Sequence, residues 1–265
     1  MALPFFNAYR GSIGRFFQGD PTLRGYWQLH NNSQDNSGNG RNGTDSATVY
    51  GQSGFRGAFG SVYFNGSADI RIPTLEMSGA GTPLFIGFWV MWKVLPSDFK
   101  IFFTIGDGNW GLPACGILYI AINVNNKIEF HLFNTNQSQA VVTDPTPIFQ
   151  NIWHYYVVGW DGTSSGTNMF VYRNGVLVAT GSITYSILAS RSGIGTTLGR
   201  YYDSSGGSLY YSTNNLCEAS VWGRVVAPQE ISQYYQWAIS QPRKTYYEVG
   251  GLLVPNTRRR LLLTR

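Results

Sequence analysis

The feature that most constrains this chain is a succession of short extended runs, broken at regular intervals by turn residues, from residue 22 to residue 226. They are LRGYWQL (23–29), SVYFNG (61–66), ADIRIP (68–73), PLFIGFWVMWKV (83–94), FKIFFTIGD (99–107), GILYIAINVNNKIEFHLF (116–133), NIWHYYVVGWDG (151–162), NMFVYRNGVLVATGS (168–182), TTLGRYY (196–202) and LCEASVWGRVV (216–226). Each is rich in β-branched and aromatic residues and is bounded by Gly, Asn, Ser or Pro, the composition of strands separated by turns. Asp69-Ile70-Arg71-Ile72 and Phe170-Val171-Tyr172 alternate as half-buried strands do. NVNNKIEF and VYRNGVLV set Asn-Asn and Asn-Gly between extended runs, the signature of type I′ hairpins.

One segment reads as helix, 227–235, with Pro228 in its first turn and Glu230 close behind. Many strands and one short helix predict an all-β fold, a two-sheet antiparallel jelly-roll sandwich with a short C-terminal helix and extended terminal arms. The expected organisation is an N-terminal arm (1–21), a jelly-roll domain (22–238) and a basic C-terminal arm (239–265).

The net charge of +5 invites a polyanion-binding reading, but its location changes the meaning. Residues 1–240 hold 13 Lys/Arg and 13 Asp/Glu and so are neutral. The excess lies in Arg243, Lys244, Arg258, Arg259, Arg260 and Arg265, set against Glu248 alone. Those six residues are the expected docking element. The arginine triplet lies between Leu252-Leu253-Val254 and Leu261-Leu262-Leu263, apolar flanks that a solvated nucleic-acid tail does not need, so a nucleic-acid partner is disfavoured.

The longest apolar run, Pro83 to Trp92, is too short to cross a bilayer, so no membrane insertion is expected. Residues 1–17 lack a basic stretch followed by a continuous apolar one, the pattern of a secretory leader. Cys115 and Cys217 stand about a hundred residues apart and read as free thiols.

Three strings resemble catalytic motifs and fail on context. Gly38-Asn39-Gly40-Arg41-Asn42-Gly43 fits the dinucleotide-loop pattern, but strands follow it where a helix is required. Gly162-Thr163-Ser164-Ser165-Gly166 fits the nucleophile elbow, but it joins two strands and no His follows His154. The five Glu and nine Asp form no paired set of the kind glycoside hydrolysis uses. His30, His131 and His154 stand alone. No enzyme is expected.

Two constellations suit binding. Asp35-Asn36-Ser37-Gly38-Asn39-Gly40 offers oxygens at alternate positions, as hard-cation loops do, although Ser46 stands where an EF-hand requires Glu. Trp110 in GDGNWG, and Tyr201, Tyr202, Tyr210 and Tyr211 in YYDSSGGSLYY, lie among turn residues where an aromatic ring can stack on a sugar.

Together, GYWQLHNNSQDNSGNGRNGT (25–44), SVYFNGSADIRIPT (61–74), NIWHYYVVGWDGT (151–163), MFVYRNGVLVATG (169–181), LGRYYDSSGG (198–207) and LCEASVWGRVVAPQEI (216–231) resemble the concanavalin A-like lectin/glucanase superfamily, in its laminin-G-like branch. The resemblance spans about residues 22–235. It implies a concanavalin A-like fold and one structural Ca²⁺, with Asp35, Gly38, Thr44 and Glu218 as ligand candidates. Cys217-Glu218 replaces the family's Asp-Glu pair and removes one carboxylate. The acidic motif of the catalytic branches is absent, so the resemblance implies a binding or structural role.

QYYQWAISQPRKTYYEVGG (233–251) resembles the ends of jelly-roll proteins of tailed phages. That resemblance implies a virion structural protein, a capsid decoration or tail-associated component assembled in the host cytoplasm. Its expected partners are other virion proteins or copies of itself, with surface glycans as adhesion targets. The alternative is a stand-alone carbohydrate-binding module or adhesin of a bacterium.

Overall fold

The computed structural model describes residues 19–55, 60–73, 75, 81–106, 118–133, 139–184, 196–201 and 210–241, together with the backbone of 246–249 and 252–255. Along the chain run β1 (Leu23–Trp27), β2 (Thr44–Ser46), β3 (Val49–Ser53), β4 (Gly60–Tyr63), β5 (Asp69–Ile72), β6 (Leu84–Met91), β7 (Lys100–Ile105), β8 (Leu118–Ile122) and β9 (Ile128–Phe133). They continue as β10 (Gln139–Thr143), β11 (His154–Trp160), β12 (Met169–Arg173), β13 (Val176–Gly181), β14 (Thr196–Leu198), β15 (Asn215–Trp222), α1 (Pro228–Ser240), β16 (Tyr246–Val249) and β17 (Leu252–Pro255).

Two antiparallel sheets form the sandwich. Sheet A has the order β13-β12-β11-β6-β15-β4-β3, with β1 also paired to β15; sheet B has the order β10-β9-β8-β7-β14-β5-β2. Their inner faces meet in one core, to which β6 gives Ile86, Phe88 and Val90, β11 gives Val158 and Trp160, and sheet B gives Phe103, Ile120, Phe130 and Leu132. Burying each such side chain contributes roughly 1.5–3 kcal/mol.

The central strand β6 is buried at every position, because its other face lies under a second apolar layer. There Phe85, Trp89, Tyr155, Tyr172, Cys217 and Trp222 pack beneath Ile231, Tyr234 and Ala238 of α1. Gly159 lies opposite Phe85 in the register. A Cβ on it would come within 2.6 Å of the Phe85 ring, so the missing side chain is what lets that ring lie across the sheet.

Pro228 starts α1, and Glu230 Oε2 accepts a hydrogen bond from the Ala227 N–H at 2.9 Å. Glu230 also pairs with Arg224, which reaches Asp20 on the other side. Among the described residues no helix is long and apolar enough to cross a membrane.

The jelly roll and its C-terminal helix match the expected architecture, with four local differences. The helix runs to Ser240 rather than 235, because Ala238 and the half-buried Trp237 and Ile239 continue its apolar face. Strands β2, β3 and β10 arise in stretches that show no strand pattern, and all three lie at or near sheet edges, where one row of side chains stays wet. Asn174-Gly175 has positive φ at both positions, as a type I′ turn requires, whereas in Asn125-Asn126 only Asn126 does. That second connection is a longer turn, in which Asn123 Oδ1 accepts the N–H groups of Asn125 and Lys127. In the basic arm, β16 and β17 pair as a hairpin.

Candidate functional site

The outer faces of the two sheets differ in what they carry. In antiparallel pairing, opposed residues share a face, so register alone assembles a row across sheet B: Val141, His131, Tyr119, Thr104, Thr197, Arg71 and Thr44. Thr104 and Thr197 both donate to the carbonyl of Arg200, which draws the turn after β14 over the middle of the row. The Arg200 guanidinium lies 2.7 Å from buried Asp69 and donates to the Tyr211 hydroxyl at 3.1 Å, with its charge over the Tyr211 ring. Asp69 also holds Arg71 at 3.1 Å.

Beside this turn the row becomes aromatic and polar. The His131 ring stacks on Tyr119 at 4.2 Å, while Phe99 and Tyr201 meet Tyr119 edge-on. Glu129 shares an outward face with His131, two residues along β9. Its oxygens accept from Asn123 Nδ2 at 2.7 Å and pair with His131 Nε2 at 2.8 Å. Burial works to raise the Glu129 carboxyl, but the hydrogen bonds from His131 and Asn123 outweigh it and hold the group below its ordinary value. Gln139 Nε2 contacts both the Tyr119 hydroxyl, at 2.9 Å, and His131 Nδ1. Burial pushes the Tyr119 phenol up to about 12, so it keeps its proton.

Tyr210 stands at the rim. It is 46% exposed and holds φ at +68°, a left-handed conformation that costs a bulky residue of order 1–3 kcal/mol. Its carbonyl accepts from Ile101 N, and its ring lies perpendicular to Phe99 at 5.8 Å. An exposed aromatic held in strain beside oriented donors and acceptors is suited to stacking a ring-shaped polar ligand.

The tyrosines singled out in the sequence therefore divide. Tyr210 and Tyr211 flank this surface, Tyr201 is buried and supports Tyr119, and Tyr202 and Trp110 lie outside the described residues. Arg243, Lys244, Arg258, Arg259, Arg260, Arg265 and Cys115 also lie outside them. Sequence reasoning missed Tyr119, Glu129, His131 and Gln139. The signal was Glu-x-His within β9, which alternation places on one face.

The cation candidates occupy two separate arrangements. Asp35 Oδ1 accepts from the main-chain N–H groups of Tyr26 and Ser37, and its Oδ2 accepts from that of Arg41. Gly38 provides a positive φ of +91° in that loop, and Thr44 begins β2, opposite Arg71. Glu218 lies in a β-bulge of β15 with φ +56°, bonded to the Tyr26 hydroxyl and, at 2.9 Å, to His30 Nε2. A carboxylate surrounded by three N–H donors is organised by hydrogen bonds, and Glu218 is held by groups other than the loop. Among the described residues no group of three or more His, Cys, Asp or Glu could hold a metal ion. Tyr26 joins the two carboxylates, its main-chain N–H on Asp35 and its hydroxyl on Glu218.

Cys217, next to Glu218, is a buried free thiol, raised by burial and then by the Glu218 charge.

Residues 64–232 match the family model of the concanavalin A-like lectin/glucanase superfamily, in its laminin-G group. The chain belongs to this superfamily. No curated protein matches it significantly.

Among solved structures, domain 4 of AbnA, an extracellular arabinanase from Geobacillus stearothermophilus in complex with arabinotriose, is similar with a TM-score of 0.62 and 16% identity. That match covers 81% of this chain and 98% of the other. The binding domain of Paraclostridial Mosquitocidal Protein 1 gives 0.63 and 13% identity over 83% of this chain and 53% of its own. The binding domain of botulinum neurotoxin DC in complex with SialylT gives 0.60 and 14% over 83% and 52%. This chain thus spans about half the length of the toxin chains and nearly all of the arabinanase domain. At these identities the likeness concerns the fold.

Proposed function

We propose that this superfamily member is a non-catalytic, lectin-like module that binds glycans on the outer face of sheet B. The observation that carries this reading is the strained, exposed Tyr210, with exposed Gln139 set over the buried Tyr119–His131 stack. Stacking on an exposed aromatic and hydrogen bonding to fixed polar groups are the two contacts a pyranose offers. Two solved neighbours named as binding domains, one of them in complex with SialylT, and an arabinanase domain in complex with arabinotriose support a binding role over a catalytic one. A glycan array of the full chain and of Tyr210→Ala tests it. Binding to at least one glycan class, lost at least tenfold in the variant, is expected. Absence of binding to every glycan, or equal binding by the variant, overturns the reading.

The carrier of the module is a tailed-phage particle, capsid or tail, in the reading that the C-terminal resemblance favours. The basic segment 241–265 is then the docking element, toward virion neighbours or further copies of the chain. Deleting it is expected to abolish incorporation into particles, and normal incorporation would refute the docking role. The second reading is a stand-alone carbohydrate-binding module or adhesin of a bacterium, and the near-complete match to one arabinanase domain in complex with arabinotriose supports its binding-module part.

A further inference from the structure

We propose that one end of the sandwich docks peripherally on an anionic lipid bilayer, its apolar loop tips entering the headgroup region while lysines without acidic partners meet lipid phosphates. This surface is an end of the molecule, not the outer face of sheet B, and it does not depend on glycan binding.

The end is formed by the β6–β7, β8–β9 and β10–β11 connections and by the β12–β13 turn. Four hydrogen bonds tie these segments together. Ile148 N donates to the Asn126 carbonyl and Asn151 N to the Trp92 carbonyl, both at 2.8 Å. Asn174 N donates to the Tyr155 carbonyl at 2.7 Å, and Arg173 Nη1 to that of Thr146 at 3.0 Å. Each segment carries exposed apolar side chains: Val94, then Val124, then Phe149 and Ile152, with Val176 and Leu177 just after the turn. They are between 45% and 66% exposed, and they are six of the ten large apolar side chains exposed among the described residues. Single exposed aliphatic residues are ordinary, but their concentration at one end marks an interaction surface.

The β10–β11 connection is built to present Phe149. Pro145 and Pro147 restrict its backbone, Asp144 Oδ1 accepts the Thr146 N–H at 2.9 Å, and Asn151 holds a left-handed φ of +59°. Ile148 is buried in the core beside exposed Phe149, so an inward anchor fixes an outward ring. A tip ordered before contact loses little conformational freedom on binding.

Charge selects the occupant. The described acids at this end are all engaged: Asp98 by Lys100, Asp144 by Arg173 and Tyr156, and Glu129 by His131 and Asn123. Lys93 reaches neutral groups, Gln52 Oε1 and the Tyr63 ring, and among the described residues Lys127 meets no acid. Apolar tips beside uncompensated lysines complement an anionic bilayer surface. The tips also belong to separate segments, divided by Asn125, Thr146 and Gln150. A folded partner would need a socket for each tip, whereas a bilayer admits them one at a time.

Flotation of the full chain with vesicles tests this, using phosphatidylcholine alone and phosphatidylcholine mixed with phosphatidylglycerol. Wild type is expected to bind the mixed vesicles at least tenfold more tightly than the neutral ones. The double variant Val124→Ser/Phe149→Ser changes two exposed positions and is expected to lose at least tenfold on mixed vesicles. Lys127→Glu, which removes no apolar tip, should lose at least threefold. The basic segment 241–265 is intact in both variants, so affinity unchanged in either one assigns the attraction to that segment and overturns the proposal. No wild-type binding, or equal binding to neutral and mixed vesicles, overturns it as well. Sedimentation velocity should find wild type and double variant in the same oligomeric state. A wild-type dimer that the double variant loses makes this end a contact between copies and overturns the proposal. None of these results bears on the glycan array.

Discussion

The two outer faces of the sandwich use similar aromatic residues to opposite ends. On sheet A, Trp89, Tyr155 and Trp222 are sealed beneath α1, and the Trp89 indole donates to Tyr234 at 3.1 Å. On sheet B, Tyr119 and His131 also stack, but their polar atoms belong to a connected set with Glu129 and Gln139, and Tyr210 stays exposed at the rim. A buried aromatic whose polar atom bonds within the protein stabilises the fold. One that ends in a polar network at an open edge keeps bonding capacity for something else. Sheet A is therefore the side on which the fold depends most, while sheet B keeps Gln139 and Tyr210 exposed beside a smaller buried cluster of Ile101, Tyr119, Ala121, Phe133 and Tyr201.

Substitutions should separate the two sides, and the largest effect belongs to sheet A. Trp89→Ala removes a ring buried to 1% and stacked on Phe55 at 3.7 Å, and is expected to cost about 3–5 kcal/mol in denaturant unfolding. A loss below about 1 kcal/mol would break the contrast.

The next effect is acid sensitivity at the start of β11. Burial, reinforced by the Arg173 charge, lowers His154 from 6.5 to about 4. Between those values the unfolded chain binds the proton and the folded one does not, so stability falls as pH drops from 6.5 towards 4. The full loss is about 3 kcal/mol. Thermal melts of wild type and His154→Gln across that range should converge toward acid, and parallel curves would refute the role of His154.

A smaller effect concerns the loop beside β1. Removing the Asp35 carboxylate by Asp35→Ala strands three N–H groups and is expected to cost about 2 kcal/mol. A chelator should leave the wild-type melting temperature unchanged, and a Ca²⁺-dependent rise would show that a cation organises the loop after all. The smallest effect on stability is Tyr210→Ala, within about 0.5 kcal/mol, although the same variant should lose glycan binding. A large destabilisation would make Tyr210 a structural residue.

The difference between the faces also explains what the sequence reveals. β6 and β11 show themselves as unbroken apolar runs because both their faces are covered, one by the opposite sheet and one by the outer layer. β2, β3 and β10 are short, polar and lie toward sheet edges, so their side chains record little burial. The candidate site was half legible for the same reason. Tyr210 and Tyr211 mark themselves as aromatics among turn residues, and Glu129 and His131 share a face by alternation. Joining them to Tyr119 requires the register of the β8–β9 hairpin, and adding Gln139 requires a strand the pattern does not reveal. Asp35 has the composition of a cation loop, and that composition does not reveal that its oxygens accept three main-chain N–H groups in the fold.

The most direct test of the recognition face is chemical-shift mapping of the full, ¹⁵N-labelled chain with the tightest oligosaccharide from the array. Perturbations concentrated on β8, β9 and β10 and around Phe99 and Tyr210 are predicted, with β6 and α1 silent. Perturbations centred on α1 and the outer layer of sheet A would contradict the assignment.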